Sequence, residues 1–433
     1  MTIRDSRLDA FRRLLGHVGE LCPLGVPVRL WDGSFVDLGP DKGSGLCLAI
    51  HDPGAVTRCL RRPGLDQILR ELAAGTLAIE GGTLLDLAAL RPEIKGRALV
   101  RGIDKRLLLH AGLPFLFGRA GRAGDQGYAG AVPARNAAGR DNKALVQFHY
   151  DLSNEFYALF LDPEMQYSCG YFPDWDASLE AAQTAKMDMI CRKLRLAPGE
   201  RFLDIGCGWG GLVCHAAAAY GVHAHGITLS EAQLAFAREK IARMGLADRV
   251  TLELKDYQAL DGAFDKIASI GMFEHVGLDN HDAYFRTVRR LLRPRGLLLN
   301  HAITRRAKTS ERAFRRASPE HRAIRRYIFP GGEVDYVGRS LRGLEANGFE
   351  VHDVEGWREH YALTTAEWCR RLHARRAEAE RLVGAEKTRL WLLYLAAVSL
   401  AFDGGSILIF QTLASKRARG PSGLPPTRAD LYA

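Results

Sequence analysis

Apolar and polar positions follow two rhythms along this chain, and the change falls near residue 140. Before it the signals are short and mixed. Val28-Arg29-Leu30-Trp31-Asp32-Gly33-Ser34 reads as a strand running into an Asp-Gly turn, Cys47 to Ile50 as a second strand, and Leu65 to Leu72 as helix. These elements predict a small α+β domain over residues 1–117. Gly118 to Arg140 is rich in Gly, Ala and Arg with one proline, a composition that buries little and predicts a linker over 118–141. From 142 to 433 the pattern becomes regular. Met187, Ile190 and Leu194, spaced i, i+3, i+7, predict a helix ahead of strand 202–205. Helix 211–220, strand 222–227, helix 231–244, strands 249–254 and 265–271, helix 281–292 and strand 296–303 follow. Such alternation predicts an α/β fold with a doubly wound, Rossmann-like, mostly parallel sheet. Ligands in these sheets sit beyond the carboxyl ends of the strands.

At that place after the first strand the chain reads Phe202-Leu203-Asp204-Ile205-Gly206-Cys207-Gly208-Trp209-Gly210-Gly211, and an apolar helix begins at once. Glycines let the backbone approach a ligand that a Cβ would exclude, and a helix N-terminus offers unpaired N–H groups. The turn is therefore a nucleotide site that satisfies two patterns. Gly206, Gly208 and Gly211 fit the dinucleotide spacing; Gly206, Gly208 and Gly210 fit the S-adenosylmethionine spacing. A dinucleotide site places an acid at the end of the second strand. Here that place holds Gly226-Ile227-Thr228-Leu229-Ser230, with Gln233 on the next helix, and no acid. The third strand ends in Asp256-Tyr257, an acid able to accept from an adenine amino group. S-adenosylmethionine is the better reading. Thr228 and Ser230 as helix caps, and Asp256 as a turn residue, are the structural alternatives.

Composition narrows the class further. At 433 residues with 47% hydrophobic and 25% charged residues, the chain reads as a two-domain globular protein. The longest largely apolar run, Leu390 to Phe402, is 13 residues and too short to span a bilayer. The N-terminus shows no apolar signal segment. Eight cysteines (Cys22, Cys47, Cys59, Cys169, Cys191, Cys207, Cys214 and Cys369) form no CxxC pair and no metal-ligand spacing, so reduced thiols, no metal and a cytosolic location are expected. Net charge is +10 and favours a polyanion. Nine of the basic residues fall between Arg305 and Arg326, interleaved with Phe314, Ile324 and other apolar residues. That combination adsorbs to lipid interfaces, whereas no nucleic-acid module accompanies the charge.

Several longer stretches carry a resemblance. Phe202 to Leu212, Gly226 to Gln233, Ser269-Ile270-Gly271-Met272-Phe273-Glu274-His275-Val276-Gly277, His149-Tyr150-Asp151-Leu152-Ser153-Asn154-Glu155-Phe156-Tyr157 and Tyr167-Ser168-Cys169 resemble the cyclopropane-fatty-acyl-phospholipid synthase family. The likeness runs from about Lys143 to Gln411. It implies a class I methyltransferase domain and transfer of a methylene from S-adenosylmethionine to cis double bonds of phospholipid acyl chains. Methyl-branch-forming and small-molecule N-methyltransferase relatives are the alternatives. The alkene attacks the sulfonium methyl and leaves a carbocation, and ring closure needs a base while water is excluded. The resemblance implies a bound bicarbonate as that base, held by residues corresponding to Cys169, Glu274, His301 and Tyr361, with the backbone of Ile303 adjacent. It further implies Tyr167, Ser168, Asp204, Gly206, Gly208, Gly210, Thr228, Gln233, Asp256 and Tyr257 at the cofactor, peripheral association with the inner membrane surface, and a homodimer.

Outside these motifs the same residues read more plainly. Cys169 alone is a buried small hydrophobe, and His301, set among apolar neighbours, a satisfied core histidine. Glu274 is expected at a strand end, with His275 pointing away in a structural role. Tyr327 and Tyr336 compete with Tyr361, and Trp209 is an equally good core residue. One position departs from the family: Tyr394-Leu395-Ala396-Ala397-Val398 has valine where relatives often carry a cysteine. The basic segment, about 304–330, is expected to form a lid facing anionic headgroups.

Overall fold

The structure, a computed structural model, describes residues 6–91, 101–117, 152–329 and 332–432. The linker 118–141 and His149, Tyr150 and Asp151 of the resemblance motif lie outside the described residues. The chain divides into two compact units. One comprises the residues up to 130 with 318–327 and 372–397; the other comprises 131–317, 328–371 and 398–433.

In the first unit, β1 (Val26–Arg29), β2 (Phe35–Leu38), β3 (Cys47–Ile50) and β4 (Leu77–Glu80) form a sheet of order β2-β1-β3-β4. The Asp-Gly turn is present, and it ends β1 earlier than the pattern predicts. Gly33 adopts φ +83° and its N–H reaches the Leu30 carbonyl at 2.9 Å, which takes Leu30 to Ser34 out of the strand. Val28, Leu30 and Leu38 pack against Leu8, Phe11 and Leu15, an i, i+3, i+7 stripe of helix Ser6–Leu21. Helix Leu65–Ala74 is stopped by Gly75 in the left-handed region. Its fully buried Glu71 is paired with Arg58 through two contacts of 2.7 and 2.8 Å. Helix Pro319–Tyr327 joins this unit through the Tyr327 hydroxyl, which donates to Asp66 at 2.6 Å.

The second unit is built on β5 (Arg201–Ile205), β6 (His223–Thr228), β7 (Val250–Leu254), β8 (Phe264–Ile270), β9 (Leu292–Arg305), β10 (Phe349–Gly356) and β11 (Ile407–Lys416), in the order β10-β11-β9-β8-β5-β6-β7. β11 runs antiparallel to both its neighbours; the other pairings are parallel. Phe202 to Ile205 are all buried, a continuous run rather than an alternation, because helices cover both faces. Met187, Ile190 and Leu194 of helix Leu179–Leu194 join Leu212 and Val213 of helix Gly211–Tyr220 on one face. Tyr284, Phe285 and Val288 of helix His281–Leu291 fill the other with Ile205 and Ile267. Each such side chain contributes roughly 1.5–3 kcal/mol by burial. β9 extends past the expected 296–303 at both ends, and β11 pairs along it from Leu297 to Arg305.

The basic segment does not stand as one piece: residues up to 317 belong to the second unit and 318–327 to the first. Arg305 donates to the Phe314 and Val334 carbonyls, Arg315 pairs with Asp279 and Glu311, and Arg326 lies 3.5 Å from Asp66. Among the described residues no helix is long and apolar enough to cross a membrane.

Candidate active site

The strand order reverses between β5 and β8, and a cleft of about 1090 Å³, counting the space open at its mouth, lies beyond their carboxyl ends. Gly206 and Gly208 form its floor at φ +83° and +55°, backbone that a side chain would strain. Tyr167, Ser168, Asp204, Thr228, Gln233, Asp256 and Tyr257 line it as well. Gly210 does not. It sits at φ +82° as the residue before helix Gly211–Tyr220, where an added Cβ would lie 2.9 Å from the Ala237 Cβ, so it sets the packing of the helix behind the cleft.

The polar atoms of the cleft divide into satisfied and orphaned groups. The Thr228 hydroxyl donates to Gln233 Oε1 at 2.8 Å, Ser230 caps the following helix, and Asp256 Oδ1 accepts from the Gln258 N–H at 2.9 Å. Asp256 thus holds its own turn while facing the cleft. Asp204 differs: its Oδ1 is buried without a hydrogen-bond partner, and desolvation pushes its pKa up to about 7 against the pull of Lys186. A buried acid oxygen with no protein donor suits a cationic or hydroxylic ligand group.

Lys186 is a member of this site that sequence reading missed. It is fully buried on helix Leu179–Leu194 and donates to Gln166 Oε1 and, at 2.9 Å, to Ser168 Oγ. Desolvation lowers its pKa to about 8, opposed by Asp162 and Asp204. The signal was present as a lysine among apolar helix positions. His275 also lines the cleft, its ring 5.7 Å from that of Phe329, so it does not turn away as expected. Trp209 packs against Tyr157 and donates to Asn154 Oδ1 at 2.8 Å, which ties the glycine turn to the Asn154 segment.

Behind the cleft, the ends of β8 and β9 gather a second group. Glu274 lies not on a strand but in the short helix Phe273–Val276 that follows β8, because Gly271 at φ +67° breaks the strand. Its side chain returns to β9, where Oε1 accepts from the Ile303 N–H at 2.6 Å. Ile303 therefore contributes its backbone to Glu274. The second oxygen, Oε2, is buried without a partner, and burial pushes the pKa up to about 7. Two residues earlier on the same face of β9, His301 is fully buried. Its Nδ1 faces the Gln411 amide at 3.1 Å, and its Nε2 is buried without a partner. Desolvation first, then the charges of Lys186 and Lys193, hold its pKa well below the usual range, so the ring is neutral.

Trp357, absent from the sequence reading, connects this group to the rest. Its ring meets His301 edge-on at 5.2 Å, and its carbonyl accepts both from the Cys169 thiol at 3.8 Å and from the Tyr361 N–H at 3.1 Å. Cys169 is completely buried, and desolvation raises its pKa so that it stays a thiol. Tyr361 follows one helical turn after Trp357, half-buried, with its ring against Phe402 and Trp368. Of its two competitors, Tyr327 is bound to Asp66 in the first unit and Tyr336 packs on Phe314. Val398 is buried in helix Ala385–Asp403.

Comparisons with known proteins agree with this geometry. Residues 138–412 match the family described as mycolic acid cyclopropane synthetase. A probable fatty acid methyltransferase of Pseudomonas putida is 36% identical over 94% of this chain and 95% of its own length. The cyclopropane-fatty-acyl-phospholipid synthase of Escherichia coli is 40% identical over 62% of this chain and 66% of its own. The crystal structure of a mycolic acid cyclopropane synthase complexed with SAH and CTAB is 35% identical, covers 64% of this chain and 99% of that one, and superposes with a TM-score of 0.60. The orphaned Asp204 oxygen, the side-chain-free floor at Gly206 and Gly208, and the family match agree on the methyl donor: this chain belongs to the mycolic acid cyclopropane synthetase family and is an S-adenosylmethionine-dependent methyltransferase of the cyclopropane synthase type.

Proposed function

We propose that this enzyme adds a methylene bridge across cis double bonds of phospholipid acyl chains. The observation that carries the proposal is the pair of buried, unpartnered atoms Glu274 Oε2 and His301 Nε2 at the ends of β8 and β9. An acid held near neutrality and a neutral imidazole suit a small oxyanion that must accept a proton in a dry site. Bicarbonate fits that description; Cys169, whose thiol reaches the Trp357 carbonyl, and the phenol of Tyr361 are the further ligands that the resemblance implies. When bound, S-adenosylmethionine supplies an electrophilic methyl; Asp204, Ser168, Thr228, Gln233, Asp256, Tyr167 and Tyr257 would hold it over the Gly206–Gly208 floor. Glu274, raised toward neutrality, exchanges a proton with the anion as the added methyl loses one, and its negative form offsets positive charge on the acyl chain. Burial of Cys169, His301 and Trp357 excludes water that would otherwise capture that cation.

Access to bilayer lipid is supported by an exposed surface of the first unit. Leu60 of helix Pro53–Arg61 and Leu108, Leu109, Leu113, Leu116 and Phe117 of helix Lys105–Leu116 and its end are all exposed, Phe117 at 85%. Arg62, Lys105 and Arg106 lie in the same two segments and form no ion pair among the described residues. Clustered apolar side chains with basic neighbours adsorb to anionic membranes. In the second unit Arg306, Lys308, Arg312 and Arg316 are exposed and unpaired among the described residues, and they are the part of the basic segment left for headgroups.

The Pseudomonas putida relative is named a probable fatty acid methyltransferase, and a fatty-acyl C-methyltransferase that leaves a methyl branch is the second reading. Mass spectrometry of lipids from cells expressing the chain separates the two. A cyclopropane adds one methylene to an acyl chain and survives hydrogenation that reduces an alkene. A branched or exomethylene product would overturn the proposal.

A further inference from the structure

A row of polar side chains crosses the antiparallel edge of the large sheet. Glu355 on β10 pairs in register with Gln411 on β11, and Gln411 pairs in register with His301 on β9. Residues opposite one another across antiparallel strands share a face. Lys193, on the helix covering that face, is fully buried there. Its ammonium is paired with Glu355, lies 3.9 Å from Asp353, and donates to Gln411 Oε1 at 2.8 Å.

We propose that Gln411, oriented by Lys193, is a positioning residue that fixes His301 as the tautomer carrying its proton on Nε2. Donor and acceptor chemistry alone determines the tautomer. An ammonium donates and cannot accept, so the end of the Gln411 amide facing Lys193 must be its oxygen. The other end is then the NH2 group, which only donates. His301 Nδ1, 3.1 Å away, must accept and therefore carries no hydrogen. The remaining proton of the neutral ring sits on Nε2, which is buried and has no protein acceptor. A buried N–H without an acceptor is costly, and the cost disappears when a ligand oxygen occupies the site. The identity of that ligand as the proton-accepting anion rests on the function proposed above; the tautomer does not.

An uncharged N–H donor holds an oxyanion without delivering a proton to it, so the base stays unprotonated until it takes a proton from substrate. Its availability also stays constant with pH. Gln411→Glu removes both properties. A carboxylate only accepts, so Nδ1 must then carry a hydrogen, and Nε2 remains a donor only while the ring is an imidazolium.

Nitrogen-15 NMR of histidine-labelled protein, with His301→Asn to assign the ring, tests this in the full chain without substrate. The expected spectrum shows neutral His301 with protonated Nε2 from about pH 6 to about pH 9. In Gln411→Glu the ring should become Nδ1-protonated or charged. Turnover should fall on the order of 10–100-fold, as for other partners that orient a histidine, with S-adenosylmethionine affinity unchanged. What activity remains should drop further as pH rises and the ring deprotonates. A merely structural glutamine would lower stability without adding that limb to the pH profile. Protonated Nδ1 in the parent protein overturns the proposal whether or not any variant folds. Unchanged ring shifts and pH profile in Gln411→Glu overturn it as well. A branched lipid product with the Nε2 tautomer present would instead support the positioning role of Gln411 and remove only the cyclopropane reading.

Discussion

Replacing Glu274 with glutamine should have opposite effects on stability and on turnover. In the folded protein the carboxyl is pushed up to about 7 from an ordinary value of 4.5, mainly because burial opposes the charge. The sign follows from linkage. The folded state binds the proton more tightly than the unfolded state, so stability is full below about pH 4.5 and is lost as pH rises through 7. At about 1.4 kcal/mol for each pH unit of displacement, the charged carboxylate costs about 3 kcal/mol above that window. The Glu274→Gln side chain would keep an oxygen for the Ile303 N–H and place an uncharged amide where Oε2 now lies without a partner. Urea unfolding at about pH 5 should therefore give similar stabilities for the two proteins, whereas at about pH 8.5 the variant should be more stable by up to about 3 kcal/mol. Turnover should fall on the order of 10²–10³-fold, the scale of a lost preorganised electrostatic partner, with cofactor affinity retained. Equal stabilities at both pH values would refute the buried-carboxylate argument. Near-parental turnover would refute the assigned role.

Other residues allow independent checks. Asp204→Asn should weaken S-adenosylmethionine binding by about 1–3 kcal/mol in isothermal titration, since the unpartnered Oδ1 loses its charge; unchanged affinity would remove Asp204 from the cofactor site. Gly210→Ala should destabilise the protein by about 1–3 kcal/mol in thermal or urea unfolding, because φ +82° and a 2.9 Å approach to Ala237 both oppose a Cβ. Leu109→Glu with Phe117→Glu should release the enzyme from sedimenting anionic vesicles while leaving turnover on detergent-dispersed lipid intact, and full retention on vesicles would discard that surface. Neutralising Arg306, Lys308, Arg312 and Arg316 should flatten the salt dependence of vesicle binding; an unchanged dependence would discard the headgroup role of the segment.

The alternating pattern from residue 187 to 303 was enough to predict five parallel strands with their helices, because β5 and the later half of β9 are buried apolar runs, β7 alternates at the sheet edge, and the intervening helices present apolar faces to the sheet. The glycine turn, the missing acid after β6 and the acid after β7 were equally legible, since local chemistry alone determines which ligand atoms they can meet. Gly210 shows the limit of that reading: it fits the motif, but its missing Cβ makes room for Ala237 of the next helix.

What local pattern could not show is the assembly of the second group, which only the family resemblance had grouped. Glu274 and Ile303 are 29 residues apart, and Cys169 and Trp357 are 188 apart. Nothing in one local stretch reports the other. The row Glu355, Gln411 and His301 exists only because β11 enters antiparallel between β9 and β10, a register set by long-range pairing. Local pattern thus determined the fold of the cofactor half and the methyl donor it takes. Tertiary structure decided which buried acid keeps an empty oxygen and which histidine nitrogen is left free, because burial and cross-strand partners are properties of the packed chain.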